Sequence, residues 1–185
     1  MKILTVLGSP RRTGKTAQVL GEFEKIMTAG GHEIERINLT EHRINGCLGC
    51  YACMARKDAP GCVQKDDVPM IFEKLAAADA VVYASPIFCF DMSAQMKTLI
   101  DRHFCLLSAP IPDRKKTALL LSCAGPAEGN ADLAQEIFRR CFDGATVGLI
   151  KTDMVGQYVV PKSNDPDFGD RAQAVAEQMA ADFAR

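Results

Sequence analysis

The sequence predicts an α/β protein, a doubly wound three-layer α/β/α fold built on a five-stranded parallel sheet in the order 2-1-3-4-5. Two observations carry that expectation. Short, continuously apolar runs alternate five times with stretches of helical apolar spacing along 185 residues, the pattern of a parallel sheet covered on both faces. Three of those runs are followed by loops, at 8–16, 85–91 and 123–129, where an open parallel sheet places its ligand site if this strand order brings them together.

Taken in order, Ile3, Leu4, Val6 and Leu7 suit a first strand buried on both faces, ended by Gly8 and Pro10. Val19, Leu20, Phe23, Ile26 and Met27 give 18–27 helical spacing, and Gly30-Gly31 is a stop signal. Residues 32–39 alternate polar and apolar, a second strand near a sheet edge with Ile34, Ile37 and Leu39 available to the core. Residues 43–65 have no clean period and are long for a connection, which marks a functional insertion. Asp66-Asp67 and Pro69 open a helix continued by Met70, Ile71, Leu75 and Ala78.

The run 80–84 is a third strand ending at Ser85-Pro86, and 92–107 reads as a strong helix through Met96, Leu99, Ile100 and Phe104. A fourth strand at 117–122 leads to the loop 123–129, then a helix at 133–142. A fifth strand falls within 146–158, and an alanine-rich helix over 170–185 closes the chain.

Length fits one domain over 1–185, with the Cys-rich insertion at about 43–65. A formal net charge of −1 and the lack of a basic run argue against a nucleic-acid partner. The richest apolar stretch, 76–90, is broken by Asp79 and Pro86 and suits no membrane span. The N-terminus does not read as a signal peptide, so the expected location is cytoplasmic. Eight cysteines in such a chain point to reduced thiols, metal or redox work instead of a disulfide scaffold. Cys89, Cys105, Cys123 and Cys141 fall in core-like segments and read mostly as small buried hydrophobes.

The loop 8–16 admits three readings. A nucleotide P-loop needs four residues between its first glycine and Gly-Lys-Thr, and here five separate Gly8 from Gly14. A monophosphate cradle would draw on the hydroxyls of Ser9, Thr13 and Thr16, the charges of Arg11 and Lys15, and free amides at a helix N-terminus. The third is a basic surface turn. The loop 85–91 is either tucked into the core or an apolar platform for a flat ring. A cradle and a platform across one crevice describe a mononucleotide with a large ring system, and FMN fits both ends. His32, His42 and His103 show no metal-type spacing, and neither a Ser–His–Asp set nor a carboxylate pair stands out. A flavin brings its own chemistry and asks the protein for binding and orientation.

The segments GSPRRTGKT, CLGCYAC…C…KDD and SPIFCFDMSAQMKTLIDR together resemble the flavodoxin-like NAD(P)H-dependent FMN reductase family, and within it the iron–sulfur flavoprotein branch. The resemblance covers most of the first two-thirds of the chain. It implies FMN held noncovalently, with Ser9, Arg11, Thr13, Gly14, Lys15 and Thr16 at its phosphate and Pro86, Ile87, Phe88 and Phe90 against its ring. It places Ala124 and Gly125 near the ring's pyrimidine end. The family often has Asn where Lys15 stands and an aromatic residue where Cys89 stands. Asp101-Arg102 matches too, and at a helix end it reads as structural.

The implied activity is oxidoreduction, with NAD(P)H as co-substrate and a small molecule or redox protein as electron acceptor. An electron carrier between partner proteins is the rival reading, and a P-loop kinase a more distant one. The implied assembly is a homo-oligomer, dimer or tetramer.

Cys47, Cys50 and Cys53 stand three residues apart with Gly46 and Gly49 interleaved, and Cys62 follows. Four thiolates on a glycine-bearing loop can converge on a [4Fe–4S] cluster, which the resemblance supports. Zinc is an alternative, although its ligands more often come as two separated pairs. A thiol-rich loop at a subunit interface without metal is the third reading.

Overall fold

β1 (Lys2–Leu7) runs parallel to both of its neighbours, β2 (Glu33–Asn38) at the sheet edge and β3 (Ala80–Phe88) towards the centre. The structure is a computed structural model and describes residues 1–56, 61–108, 115–142 and 152–185. A two-residue strand, β4 (Asp91–Met92), folds back antiparallel on the end of β3. β5 (Lys115–Ser122) and β6 (Thr152–Val160) extend the sheet, giving β2-β1-β3-β5-β6. Counting only the parallel strands, this is the expected 2-1-3-4-5. The part of the fifth-strand expectation that covers 146–151 lies outside the described residues.

Alternation along each strand divides the core into two layers. Leu4, Val6, Val81, Tyr83, Leu119 and Leu121 face one side with α2 (Val68–Ala77), α3 (Ala94–Arg102) and α4 (Asp132–Phe142). Ile3, Leu7, Ala80, Val82, Ala84, Ala118 and Leu120 face the other, against α1 (Lys15–Ala29) and α5 (Phe168–Phe183). Because both faces are covered, these strands read as continuous apolar runs. Among the described residues no helix is long and apolar enough to cross a membrane.

Three local expectations change. The third strand does not stop at Ala84, because Ser85 and Pro86 still pair with Leu121 and Ser122 of β5. It continues to Phe88 and turns at Cys89 and Phe90, whose φ angles of 50° and 68° are both left-handed. Two such residues joining antiparallel strands make the tight turn that suits strand twist, here without the usual Asn-Gly. The helix expected over 92–107 is also shorter. Met92 belongs to the hairpin, Ser93 caps α3 by accepting from the Met96 amide at 3.2 Å, and His103–Ser108 continues as 3₁₀ helix. Finally, Cys105 and Cys123 are buried and Cys141 partly so, but Cys89 sits exposed at the hairpin tip and is not core.

Candidate functional site

The chain leaves β1 at Gly8, where an added Cβ would stand 2.8 Å from the Cβ of Met96 and 3.0 Å from Ser93 Oγ. Only glycine lets the first loop pass this close to α3. Ser93 Oγ donates to the Gly8 carbonyl at 2.6 Å, and the Ser93 amide donates to Ser85 Oγ at 2.9 Å. Both serines are fully buried. The first loop, the end of β3 and the start of α3 are therefore clasped together.

Beyond Gly8 the chain turns tightly. Ser9 Oγ accepts from the Arg11 amide and the Gly14 amide donates to the Arg11 carbonyl, at 3.1 and 3.0 Å. Gly14 then stands at the N-cap of α1 with no side-chain cap. Among the described residues the amides of Lys15, Thr16 and Ala17 have no protein acceptor. Uncapped first-turn amides favour an anion. Arg12 is drawn off to Glu41, and the Lys15 ammonium stands over the Phe168 ring, 4.6 Å from its centroid.

On the third side, the loop after β5 is tied to the loop after β6. The Ser163 amide donates to the Cys123 carbonyl and the Lys162 amide to the Gly125 carbonyl, at 2.9 and 3.0 Å. Thr16 and Ser122 hydroxyls meet at 2.7 Å beneath, joining α1 to the end of β5.

Together these segments surround an open cleft of about 390 Å³, large enough for a cofactor. Ser9, Arg11, Gly14, Lys15 and Thr16 line one part, Pro86, Ile87 and Phe88 another, and Ala124 a third. Three of the anticipated residues are not on this lining. Thr13 is exposed on the first loop, and Phe90 is 60% exposed at the hairpin tip. A Cβ added at Gly125 would stand 2.9 Å from the Asn130 side chain, and the Gly125 carbonyl accepts from the Lys162 amide. The sequence reading missed Pro10, Ser122, Ser163 and Asn164, which also line the cleft. The available signal for the last two was their place after the final strand, at the carboxyl edge of the sheet. The chemistry of the lining suits FMN: free amides and cations at one end, apolar side chains at the other.

A second, smaller site lies in the insertion. Cys47, Cys50, Cys53 and Cys62 all line a cavity of about 20 Å³, joined by Cys105, Arg102, Tyr51 and Phe104. Among the described residues no three Cys, His, Asp or Glu stand at metal-binding separation. The cavity has room for about one water, so a cluster would require the loop to open around it. Cys47 and Cys50 are exposed, and a Cβ added at Gly46 or Gly49 would meet nothing within 4 Å, so that rim is unobstructed. Four thiols around one cavity fit a tetrathiolate group in number and chemistry. Burial, with Cys62 and Cys53 nearby, pushes the Cys105 thiol up to about 12, which keeps it protonated.

Behind the cavity, Arg102 and Asp66 form a buried ion pair with side chains 1% and 0% exposed. Arg102 Nη1 donates to Asp66 Oδ2 at 2.6 Å and Nη2 to Oδ1 at 3.1 Å. Burial alone would raise the Asp66 carboxyl. The guanidinium and the amides of Asn45 and Val68 outweigh it and hold the pKa below the usual carboxylate range. Next along, His103 is buried among Phe72, Tyr83 and Phe142, bonded to Tyr83 Oη at 2.8 Å and the Leu99 carbonyl at 2.7 Å. Burial pushes it down to about 4, so it is neutral in the fold.

Residues 1–149 match the family described as NADPH-dependent FMN reductase. An iron–sulfur flavoprotein of Archaeoglobus fulgidus is 38% identical over 102 residues, which is 55% of this chain and 45% of that protein. The chain thus aligns with less than half the length of that relative. One from Methanosarcina thermophila is 30% identical over 132 residues, 71% of this chain and 68% of that protein. Among solved structures, an NAD(P)H:quinone oxidoreductase from Methanothermobacter marburgensis superposes with a TM-score of 0.75 at 17% identity, covering 100% of this chain and 98% of that one. An FMN-dependent NADH-azoreductase from Bacillus anthracis, in complex with FMN, gives 0.70 at 13% identity, covering 100% and 99%. The structural likeness is one of fold. The sequence matches go further, and the chain belongs to the NADPH-dependent FMN reductase family, in its iron–sulfur flavoprotein branch.

Proposed function

We propose that the protein is an FMN-dependent oxidoreductase that takes electrons from NADPH or NADH and passes them to a small-molecule or protein acceptor. The observation that carries this reading is the cleft, where an uncapped helix N-terminus with Arg11 faces an apolar edge formed by Pro86, Ile87 and Phe88. FMN, when bound, supplies the hydride and single-electron chemistry.

The chain's own part is to hold and enclose. The amides of α1 and the Arg11 guanidinium take the phosphate, which charge-assisted hydrogen bonds favour. Ile87 and Phe88 would carry the ring on their apolar side chains. Ala124 would leave room beside the ring, and Ser163 and Asn164 would offer it polar groups. The described lining holds neither carboxylate, imidazole nor thiol, and its side-chain cations are Arg11 and Lys15.

The same reading makes the protein a cytoplasmic homo-oligomer, dimer or tetramer. Leu48, Tyr51, Met54 and Val63 expose 71, 66, 45 and 46% of their surface on the insertion, apolar area of the kind that subunit contacts cover. A second reading, an electron carrier between partner proteins, draws on the cysteine cavity and the four thiols that share it.

Anaerobic addition of NADPH or NADH to the FMN-loaded protein separates the two. Rapid loss of the visible flavin band with nicotinamide alone identifies the enzyme. A flavin that stays oxidised until a reduced partner protein is added identifies the carrier.

A further inference from the structure

Arg102 does more than neutralise Asp66. Its Nη1 also donates to the Asn45 carbonyl at 2.7 Å, and Asp66 Oδ2 accepts from the Asn45 amide at 3.0 Å. Asn45 stands just before the first cysteine and Asp66 just after the last, so one guanidinium pins both ends of the insertion. The two Nη groups are thereby used. Nε is not: it is buried and has no hydrogen-bond partner among the described residues. An orphaned buried N–H is costly and invites an explanation.

Its surroundings supply one. Arg102 lines the cavity that Cys47, Cys50, Cys53 and Cys62 share; burial opposes its charge, Asp66 holds it, and the Cys62 sulfur, within hydrogen-bonding reach of the guanidinium, helps. Gln64, also on that lining, turns its Nε2 to the Gly46 carbonyl at 3.0 Å.

We propose that Arg102 is the positioning residue of the cysteine insertion, fixing its two ends and presenting Nε–H as a hydrogen-bond donor to a sulfur of the iron–sulfur cluster held there. This rests on the cluster reading of the four cysteines. A donor to sulfur favours the more negative, reduced state of the cluster, so it raises the reduction potential.

Two variants test this while keeping Asp66 satisfied. In Arg102→Lys the ammonium can still pair with Asp66, but a methylene stands where Nε was. Arg102→Met combined with Asp66→Asn removes the donor and the buried charge together. After anaerobic reconstitution with iron and sulfide, the wild type should hold about four irons per chain. Each variant that loads iron should show a lower cluster midpoint potential. The expected size is about a tenfold loss of the reduced over the oxidised form, about 59 mV for one electron.

FMN content serves as the control for folding, since neither Arg102 nor Asp66 lines the flavin cleft. Full iron with an unchanged potential in either variant overturns the donor role and leaves the cluster reading intact. No iron in the reconstituted wild type overturns the cluster reading and the proposal with it. Loss of iron from both variants with FMN retained also overturns the proposal, because Arg102 would then act only on the shape of the loop.

Discussion

The hydroxyl of Ser93 donates to the carbonyl of Gly8 across 2.6 Å, between residues 85 positions apart. That bond sets the separation between the cradle after β1 and the apolar edge at the end of β3, the two parts of the cleft that a mononucleotide must span. The same oxygen accepts from the Met96 amide, so one atom both caps α3 and anchors the first loop.

Ser93→Ala removes both bonds inside a fully buried site. Loss of an N-cap costs about 1 kcal/mol, and an unsatisfied buried carbonyl adds about 1–3 kcal/mol. Denaturant unfolding should show a loss of about 2–4 kcal/mol, and FMN and riboflavin should weaken together because the loops lose their spacing. Wild-type stability in the variant would mean that the clasp is not what holds them.

Arg11 has no carboxylate partner among the described residues, whereas Arg12 pairs with Glu41. Arg11→Ala should weaken FMN roughly ten- to hundredfold, as expected for one charge-assisted hydrogen bond, and leave riboflavin, which lacks the phosphate, unchanged. Lys15→Ala should act in the same direction but less, since its ammonium is held over Phe168. Titration of the apoprotein with each ligand reads both effects. Equal losses for FMN and riboflavin would show that Arg11 shapes the loop and does not touch the phosphate.

His103 gives the fold a pH dependence of known sign. Its pKa is about 4 in the fold against about 6.5 in an unfolded chain. Between those values the unfolded chain binds a proton that the folded one refuses, so stability falls as pH drops from about 6.5 to about 4 and levels off below. The full contribution is about 3 kcal/mol. His103→Gln, which can still bond Tyr83, should flatten that part of the stability profile measured by denaturant unfolding. An unchanged slope would assign the dependence to other groups.

Much of this was legible in the sequence because β1, β3 and β5 are covered on both faces, which writes them as unbroken apolar runs. Gly8, Gly14 and the apolar Pro86–Ile87–Phe88 segment were legible because a tight turn and an apolar rim leave compositional marks. Ser-Pro reads as a stop, yet Ser85 and Pro86 stay in the sheet because β5 is long enough to pair with them. Ser163 and Asn164 are polar loop residues without a period, and only the pairing of their loop with Cys123 and Gly125 brings them to the cleft. Asp66 and Arg102 are 36 residues apart. Nothing local to either announces a buried pair, so Arg102 read only as a helix end.

The most direct measurement of the central claim is a titration of the apoprotein with FMN, FAD and riboflavin, read by quenching of flavin fluorescence. The cleft as built, with an anion site at one end and an apolar edge at the other, predicts one FMN per chain, riboflavin bound more weakly for want of the phosphate, and FAD disfavoured by its added nucleotide. Tight binding of FAD with no measurable binding of FMN would contradict the account.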